Sequence, residues 1–142
     1  MALWFETKIK YEKMMDRGNV KKVTEPYLVD ALTVSEAEAR TIEMMEKYIS
    51  GDFSITSAKQ TKITEIFNLD ADKYYLVKCG FIQVDEKTGA EKRAISEILV
   101  GASDFDEAVA IFKDEMKGTM ADYEIVSVAE TAIVEVFAVK TA

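Results

Sequence analysis

The chain has 142 residues, 49% of them hydrophobic, with 18 basic and 26 acidic side chains for a net charge of −8. That length suits one domain with a real core, and the acidity argues against binding along an extended nucleic acid, which needs a basic face. Histidine is absent, which removes Ser-His-Asp and Cys-His catalysis, histidine-ligated zinc and the usual proton shuttle near neutral pH.

The first predicted element is a strand. Phe5, Thr7, Ile9 and Tyr11 fall on one side and Glu6, Lys8 and Lys10 on the other, the period of a half-buried strand. Asp16-Arg17-Gly18-Asn19 supplies turn residues, and residues 20–32 return as the second arm of a long hairpin. Pro26 has no amide hydrogen, which places it at an edge or a bulge. A helix follows over 34–49. Thr33 caps it, Glu36 reaches back in a capping box, and Ala37, Ile42, Met45 and Ile49 form its apolar stripe. Ser50-Gly51-Asp52 ends it, and residues 53–67 read as a third extended segment with a bulge or break near Ala58-Lys59-Gln60-Thr61.

After the link Asn68-Leu69-Asp70-Ala71-Asp72 the pattern begins again. Trp4-Phe5-Glu6-Thr7-Lys8-Ile9-Lys10-Tyr11 is echoed about seventy residues later by Tyr74-Tyr75-Leu76-Val77-Lys78-Cys79-Gly80-Phe81. Tyr75, Val77, Cys79 and Phe81 alternate, Glu86-Lys87-Thr88-Gly89 turns the chain, and residues 91–100 return. Asp104 and Glu107 repeat the capping box. Phe105, Ala108, Val109, Phe112 and Met116 then have the spacing of a helix packed on a sheet, and residues 123–139 supply the last strand region.

Each half, 1–70 and 71–142, thus reads as strand, strand, helix, strand. The expected fold is α+β: an internal duplication forming one mainly antiparallel sheet, with both helices packed on one face and pseudo-twofold symmetry. Neither half carries enough apolar surface to stand alone, so a single domain over 1–142 is expected.

No apolar run is long enough to span a bilayer, and the N-terminus lacks the pattern of a signal peptide. One cysteine cannot form an internal disulfide, so the expected compartment is a reducing cytoplasm. Cys79 sits on the apolar side of a strand and reads as a small buried hydrophobe. The carboxylates are scattered. Glu36, Glu38, Glu43 and Glu46 suit a solvated helix face, and Asp104, Asp106 and Glu107 suit a helix N-terminus. No glycine pattern of a phosphate loop occurs, no calcium loop is complete, and no cofactor is expected.

Lysines on polar strand faces are the most suggestive set. Lys8 and Lys10 share one side of the first strand, and Lys78 echoes Lys8. Lys22 lies on the return strand, and Lys59 and Lys62 fall in the broken third segment. One reading makes them solubilising charges that block edge pairing. The other makes them a cationic pocket in which Trp4 or Tyr11 stacks on an anionic, nucleotide-like ligand while lysines contact phosphate. The second half is the more acidic, which favours an anion site drawn from the first.

Four blocks carry a family resemblance: Trp4-Phe5-Glu6-Thr7-Lys8; Val20-Lys21-Lys22-Val23-Thr24-Glu25-Pro26-Tyr27-Leu28-Val29-Asp30-Ala31; Asp85-Glu86-Lys87-Thr88-Gly89-Ala90-Glu91-Lys92-Arg93; and Lys117-Gly118-Thr119-Met120-Ala121-Asp122. In these the chain resembles a small family of unknown function found in Bacteroidetes and in the phages and mobile elements that infect them. The family brings no catalytic residues. The resemblance implies a cytoplasmic, often phage-associated accessory protein. By analogy of size, it brings to mind phage-encoded oligomers that sequester nucleotide signals of host immunity.

The leading expectation is therefore a non-enzymatic homo-oligomer that binds a small anionic or nucleotide-like ligand through Lys8, Lys10, Lys22, Lys59, Lys62 and Lys78, with Trp4 or Tyr11 stacking. It has no membrane and no extended nucleic acid as partner. The alternatives are an acidic protein–protein adaptor or inhibitor and, further off, a metal-dependent hydrolase of nucleotides.

Overall fold

The computed structural model describes residues 3–119 and 122–138. In chain order they form β1 (Leu3–Met14), β2 (Val20–Ala31), α1 (Val34–Tyr48), β3 (Phe53–Gln60), β4 (Ile63–Phe67), β5 (Lys73–Val84), β6 (Glu91–Ala102), α2 (Phe105–Met116), β7 (Tyr123–Glu130) and β8 (Glu135–Phe137). The fold is α+β and mainly antiparallel. The expected single sheet is replaced by two four-stranded sheets, ordered β3-β1-β2-β8 and β4-β6-β5-β7, each with one helix packed against it. Alternation tells which side chains face a core; it does not tell how many sheets share the strands. Val139, in the expected last strand region, lies outside the described residues.

Contacts divide the chain into two compact units, one running to Thr61 and resuming at Ala132, the other Lys62–Thr131. The boundary falls inside the expected third segment. Thr61 ends the β3 ladder by giving both its amide and its hydroxyl to the Trp4 carbonyl, each at 2.8 Å. The next strand, β4, then pairs in parallel with β6 of the second unit. Thr131 makes the same two bonds to the Tyr74 carbonyl, at 2.9 and 2.8 Å, and β8 then pairs in parallel with β2 of the first unit.

In the first unit β1 and β2 pair from Leu3–Ala31 to Met14–Val20. Gly18 closes the turn with φ +79°, a left-handed value that glycine adopts without penalty. Pro26 pairs with Lys8 on an inner strand. It is neither at an edge nor at a bulge of β2: the β8 ladder begins at Tyr27, and just before it the Pro26 carbonyl accepts from the Val134 amide at 2.9 Å, a bond that needs no amide from proline. The helix side of the sheet presents Phe5, Ile9, Tyr27 and Val29, which pack with Ala37, Met45 and Phe137. The buried stripe of α1 is Ala37, Thr41 and Met45; Ile42, expected in that stripe, is exposed. Thr41 instead meets Thr7 inside the core, with their hydroxyl oxygens 3.0 Å apart, and Thr41 also donates to the Ala37 carbonyl at 2.8 Å. Thr33 caps α1 by accepting from the Glu36 amide, but Glu36 pairs with Arg40 at 2.5 Å and makes no capping box.

The second unit follows the same ladder. β5 and β6 pair from Lys73–Ala102 to Val84–Glu91, and β5 also pairs with β7. Both inner strands meet their edge strand with a bulge at corresponding places, Lys8/Ile9 and Lys78/Cys79. Tyr75, Val77, Cys79, Ile98 and Val100 pack against Ala108, Phe112 and Met116 of α2. Here Asp104 accepts from the Glu107 amide at 2.8 Å, and the Glu107 carboxylate reaches one residue further back than the expected capping box, accepting from the Ser103 hydroxyl at 2.9 Å and the Ser103 amide at 3.4 Å.

Candidate ligand-binding cleft

β1 is longer than the edge strand beside it. The β1–β3 ladder ends at Tyr11–Phe53, so Glu12, Lys13 and Met14 have no strand on that flank. The turn that leaves α1 rises beyond the end of β3, and the space between is an open cleft of about 630 Å³. Its walls hold Lys10, Glu12 and Lys22 from the hairpin and Asp52 and Ser54 from the turn and β3, with Tyr11 and Phe53 behind them. Directly opposed residues share a face. Lys10 is opposed by Thr24 and Ser54, and Glu12 by Lys22, so both lysines stand on one side of the sheet as diagonal neighbours. Both are exposed, and among the described residues neither makes an ion pair.

The same positions in the second sheet are closed. By register, Lys10, Glu12, Lys22 and Ser54 correspond to Gly80, Ile82, Arg93 and Glu124. Arg93 lies over Gly80 and pairs with Glu124 on the far strand, so the cation is neutralised within the sheet. The backbone differs too. Ile82 donates its amide to the Asp122 carbonyl at 3.0 Å, which extends the pairing past Tyr123. Among the described residues Glu12 and Asp52 make no such bond. Alternation along β1 turns the Glu12 amide toward the same flank. The first unit therefore offers two unpaired ammonium groups and an open backbone donor, beside two carboxylates.

Tyr11 is held from behind. Its hydroxyl donates to Glu25 Oε1 at 2.5 Å, the Tyr27 hydroxyl donates to the same oxygen at 3.3 Å, and Lys13 lies 3.8 Å from Oε2. Burial, the bond to Glu25 and the Glu25 charge push the Tyr11 phenol up to about 12. Tyr27 is pushed up as well, first by burial and then by the charge on Glu25. Both phenols are neutral donors at physiological pH.

Of the residues singled out from sequence, the cleft brings together Lys10, Lys22 and Tyr11. Lys8 stands on the same face one pair further along, opposite Pro26 and Ser57, and Lys59 is opposite Glu6. Trp4 is only 8% exposed, so it does not offer an open ring for stacking. Lys62 and Lys78 belong to the second unit, where Lys78 is opposed by Glu97 and Ser127. Sequence reasoning missed Glu12, Ser54, Glu25 and Tyr27. The contrasts of Lys10 with Gly80 and Ser54 with Glu124 become visible only once the bulges fix the register of the two sheets.

Two other depressions are less suited. One of about 710 Å³ lies along α2 in the second unit, where Lys117 is already paired with Asp114 at 3.3 Å. One of about 470 Å³ lies beside β8, where Arg40 is engaged by Glu36 and the Asp30 carbonyl. Among the described residues no group of three or more cysteine, aspartate or glutamate side chains is placed to hold a metal ion. Cys79 is fully buried in the second core, and burial pushes its thiol up. No helix among the described residues is long and apolar enough to cross a membrane.

The model of a domain of unknown function, DUF4494, matches residues 3–139. The chain belongs to that family. Comparison with curated proteins and with solved structures gives no match. The match spans both compact units.

Proposed function

We propose that this protein is a non-catalytic binder of a small, phosphate-bearing ligand, and that the cleft of the first unit is its site. The observation that carries this reading is the contrast between the units. Lys10 and Lys22 stand unpaired around an open notch, where the second unit spends the corresponding cation on Glu124 and fills the space above Gly80. A volume of about 630 Å³ falls within the range of small-ligand pockets, roughly 300–1,000 Å³. Two ammonium groups and a backbone amide suit an anionic group, and the carboxylates of Glu12 and Asp52 suit hydroxyl or amine donors on the same ligand.

We further read the two units as diverged copies of one β-β-α-β unit that exchange their final strands. Support comes from the matched ladders, the matched bulges and the identical bonds of Thr61 and Thr131. In this view both copies kept the scaffold, and the first alone kept or gained the cleft.

Calorimetry against ADP, ATP and pyrophosphate tests the reading. Binding of at least one of them in the micromolar range is expected. Lys10→Ala and Lys22→Ala should each weaken it about tenfold, the scale of a lost charge-assisted contact, and Arg93→Ala should leave it unchanged. No heat with any of the three at high micromolar concentration would sink the proposal.

A further inference from the structure

The polar cluster behind the cleft is not needed to build the fold. Tyr11, Glu25 and Tyr27 correspond by register to Phe81, Ser96 and Ile98 in the second unit, where the same strands pair without it. Phe81 supplies the ring of Tyr11 without its hydroxyl, and Ile98 fills the place of Tyr27 as a plain core residue. The first unit instead commits a carboxylate, 20% exposed, to two phenols and one lysine. Tyr27 is itself fixed by stacking on Phe137, with ring centres 5.5 Å apart and planes 8° from parallel. A chain of contacts thus runs from Phe137 through Tyr27 and Glu25 to Tyr11, one of the residues that line the cleft.

Resting on the ligand-binding reading above, we infer that the ligand carries an aromatic ring that stacks on Tyr11, and that Glu25 is the positioning residue that holds Tyr11 for it. A phenol tied at its far end presents its ring at a fixed tilt, and a pre-set ring loses little freedom when a planar group stacks on it. Tyr11 opposes Val23 and Phe53 on the helix face of the sheet, whereas Lys10 and Lys22 stand on the other face, and the open flank of β1 beyond the Tyr11–Phe53 pair joins the two sides. A ligand that reaches both features joins a planar ring to an anion through a short linker, which is the chemistry of a nucleoside phosphate. A bare phosphate or pyrophosphate would leave the Tyr11 wall unused. Glu25 touches no ligand in this arrangement and acts only through Tyr11.

The experiment compares AMP with ribose 5-phosphate, which shares the sugar and phosphate but lacks the base. Calorimetry on the wild type and on Tyr11→Ala, Tyr11→Phe and Glu25→Gln reads the margin between the two ligands. The wild type should prefer AMP by about tenfold or more, the scale of one base stacked on an aromatic side chain. Tyr11→Ala should erase that margin and leave ribose 5-phosphate binding unchanged. Tyr11→Phe and Glu25→Gln should each reduce the margin a few-fold, again without affecting ribose 5-phosphate. If Tyr11→Ala fails to fold, the other two variants suffice, since Phe81 shows that the scaffold accepts a phenylalanine at this position. Equal binding of the two ligands by wild type, or parallel losses for both in the variants, overturns the inference and leaves the binding site standing. Absence of binding by both ligands overturns the inference, and the binding reading falls with it where ADP, ATP and pyrophosphate also give no heat.

Discussion

Arg93 lies directly over Gly80: a Cβ on Gly80 would sit 2.7 Å from Arg93 Cδ and 2.8 Å from its Cγ. The missing side chain is what lets the guanidinium cross β5 to reach Glu124. Gly80→Ala should therefore push Arg93 aside and loosen that pair. Because the obstructing atoms belong to a flexible, half-exposed side chain, the cost should stay below about 1 kcal/mol, the worth of a surface pair. The sharper signature is coupling. Gly80→Ala and Glu124→Ala should be non-additive in chemical denaturation, since either one already releases Arg93. Additive effects would show that Arg93 does not bridge the strand.

Gly101 is the contrasting case. An added Cβ would collide with the Asn68 backbone carbonyl and lie 2.8 Å from Ala71 Cβ. Asn68 cannot retreat freely, because it holds φ +62° and donates from Nδ2 to the Gly101 carbonyl at 2.8 Å. Gly101→Ala should cost about 1–3 kcal/mol, the range for overpacking a rigid site. A fall in the denaturation midpoint several times that of Gly80→Ala is the expected result.

These two glycines mark what the sequence makes legible. The alternation of Phe5, Thr7, Ile9 and Tyr11 and the caps at Thr33 and Asp104 are local signals, and strands and helices were readable from them. The close approach of residues 68–71 to Gly101 is a long-range contact with no local trace. The same holds for the split of residues 53–67, where a two-residue gap sends β3 and β4 to different sheets. At the cleft, Lys10, Lys22 and Tyr11 could be named from charge and aromaticity on strand faces. Glu25 could not, because an isolated glutamate opposite Ile9 gives no sign that two phenols converge on it.

The Thr7–Thr41 pair gives a directional prediction. Thr41 uses its proton on the Ala37 carbonyl, so Thr7 is the donor to Thr41, and both are fully buried. Thr41→Val strands the Thr7 hydroxyl and should cost about 1–3 kcal/mol, the penalty of an unmade buried bond. Thr7→Val leaves Thr41 bonded to Ala37 and should cost less. The double variant should be more stable than the sum of the two, because no orphaned hydroxyl remains. The second unit already holds Val77 and Phe112 at these positions. Thermal or chemical denaturation of the three variants reads the cycle, and equal costs for the two single changes would reverse the assigned donor.

The raised phenols make a prediction at alkaline pH. Tyr11 is pushed from 10.0 to about 12, first by burial, then by its bond to Glu25 and then by the Glu25 charge. Tyr27 moves in the same direction. In the unfolded chain both ionise at the ordinary value, so between about pH 10 and 12 the folded state keeps protons that the unfolded state has lost. The stability these phenols contribute is therefore complete below pH 10 and is lost as pH rises through that window. Glu25→Gln removes the charge but not the burial. The phenolate absorbance of Tyr11 should then appear at lower pH than in wild type while remaining above 10, and a difference titration against Tyr11→Phe isolates its signal. An unchanged titration in Glu25→Gln would show that Glu25 does not hold the Tyr11 hydroxyl in solution.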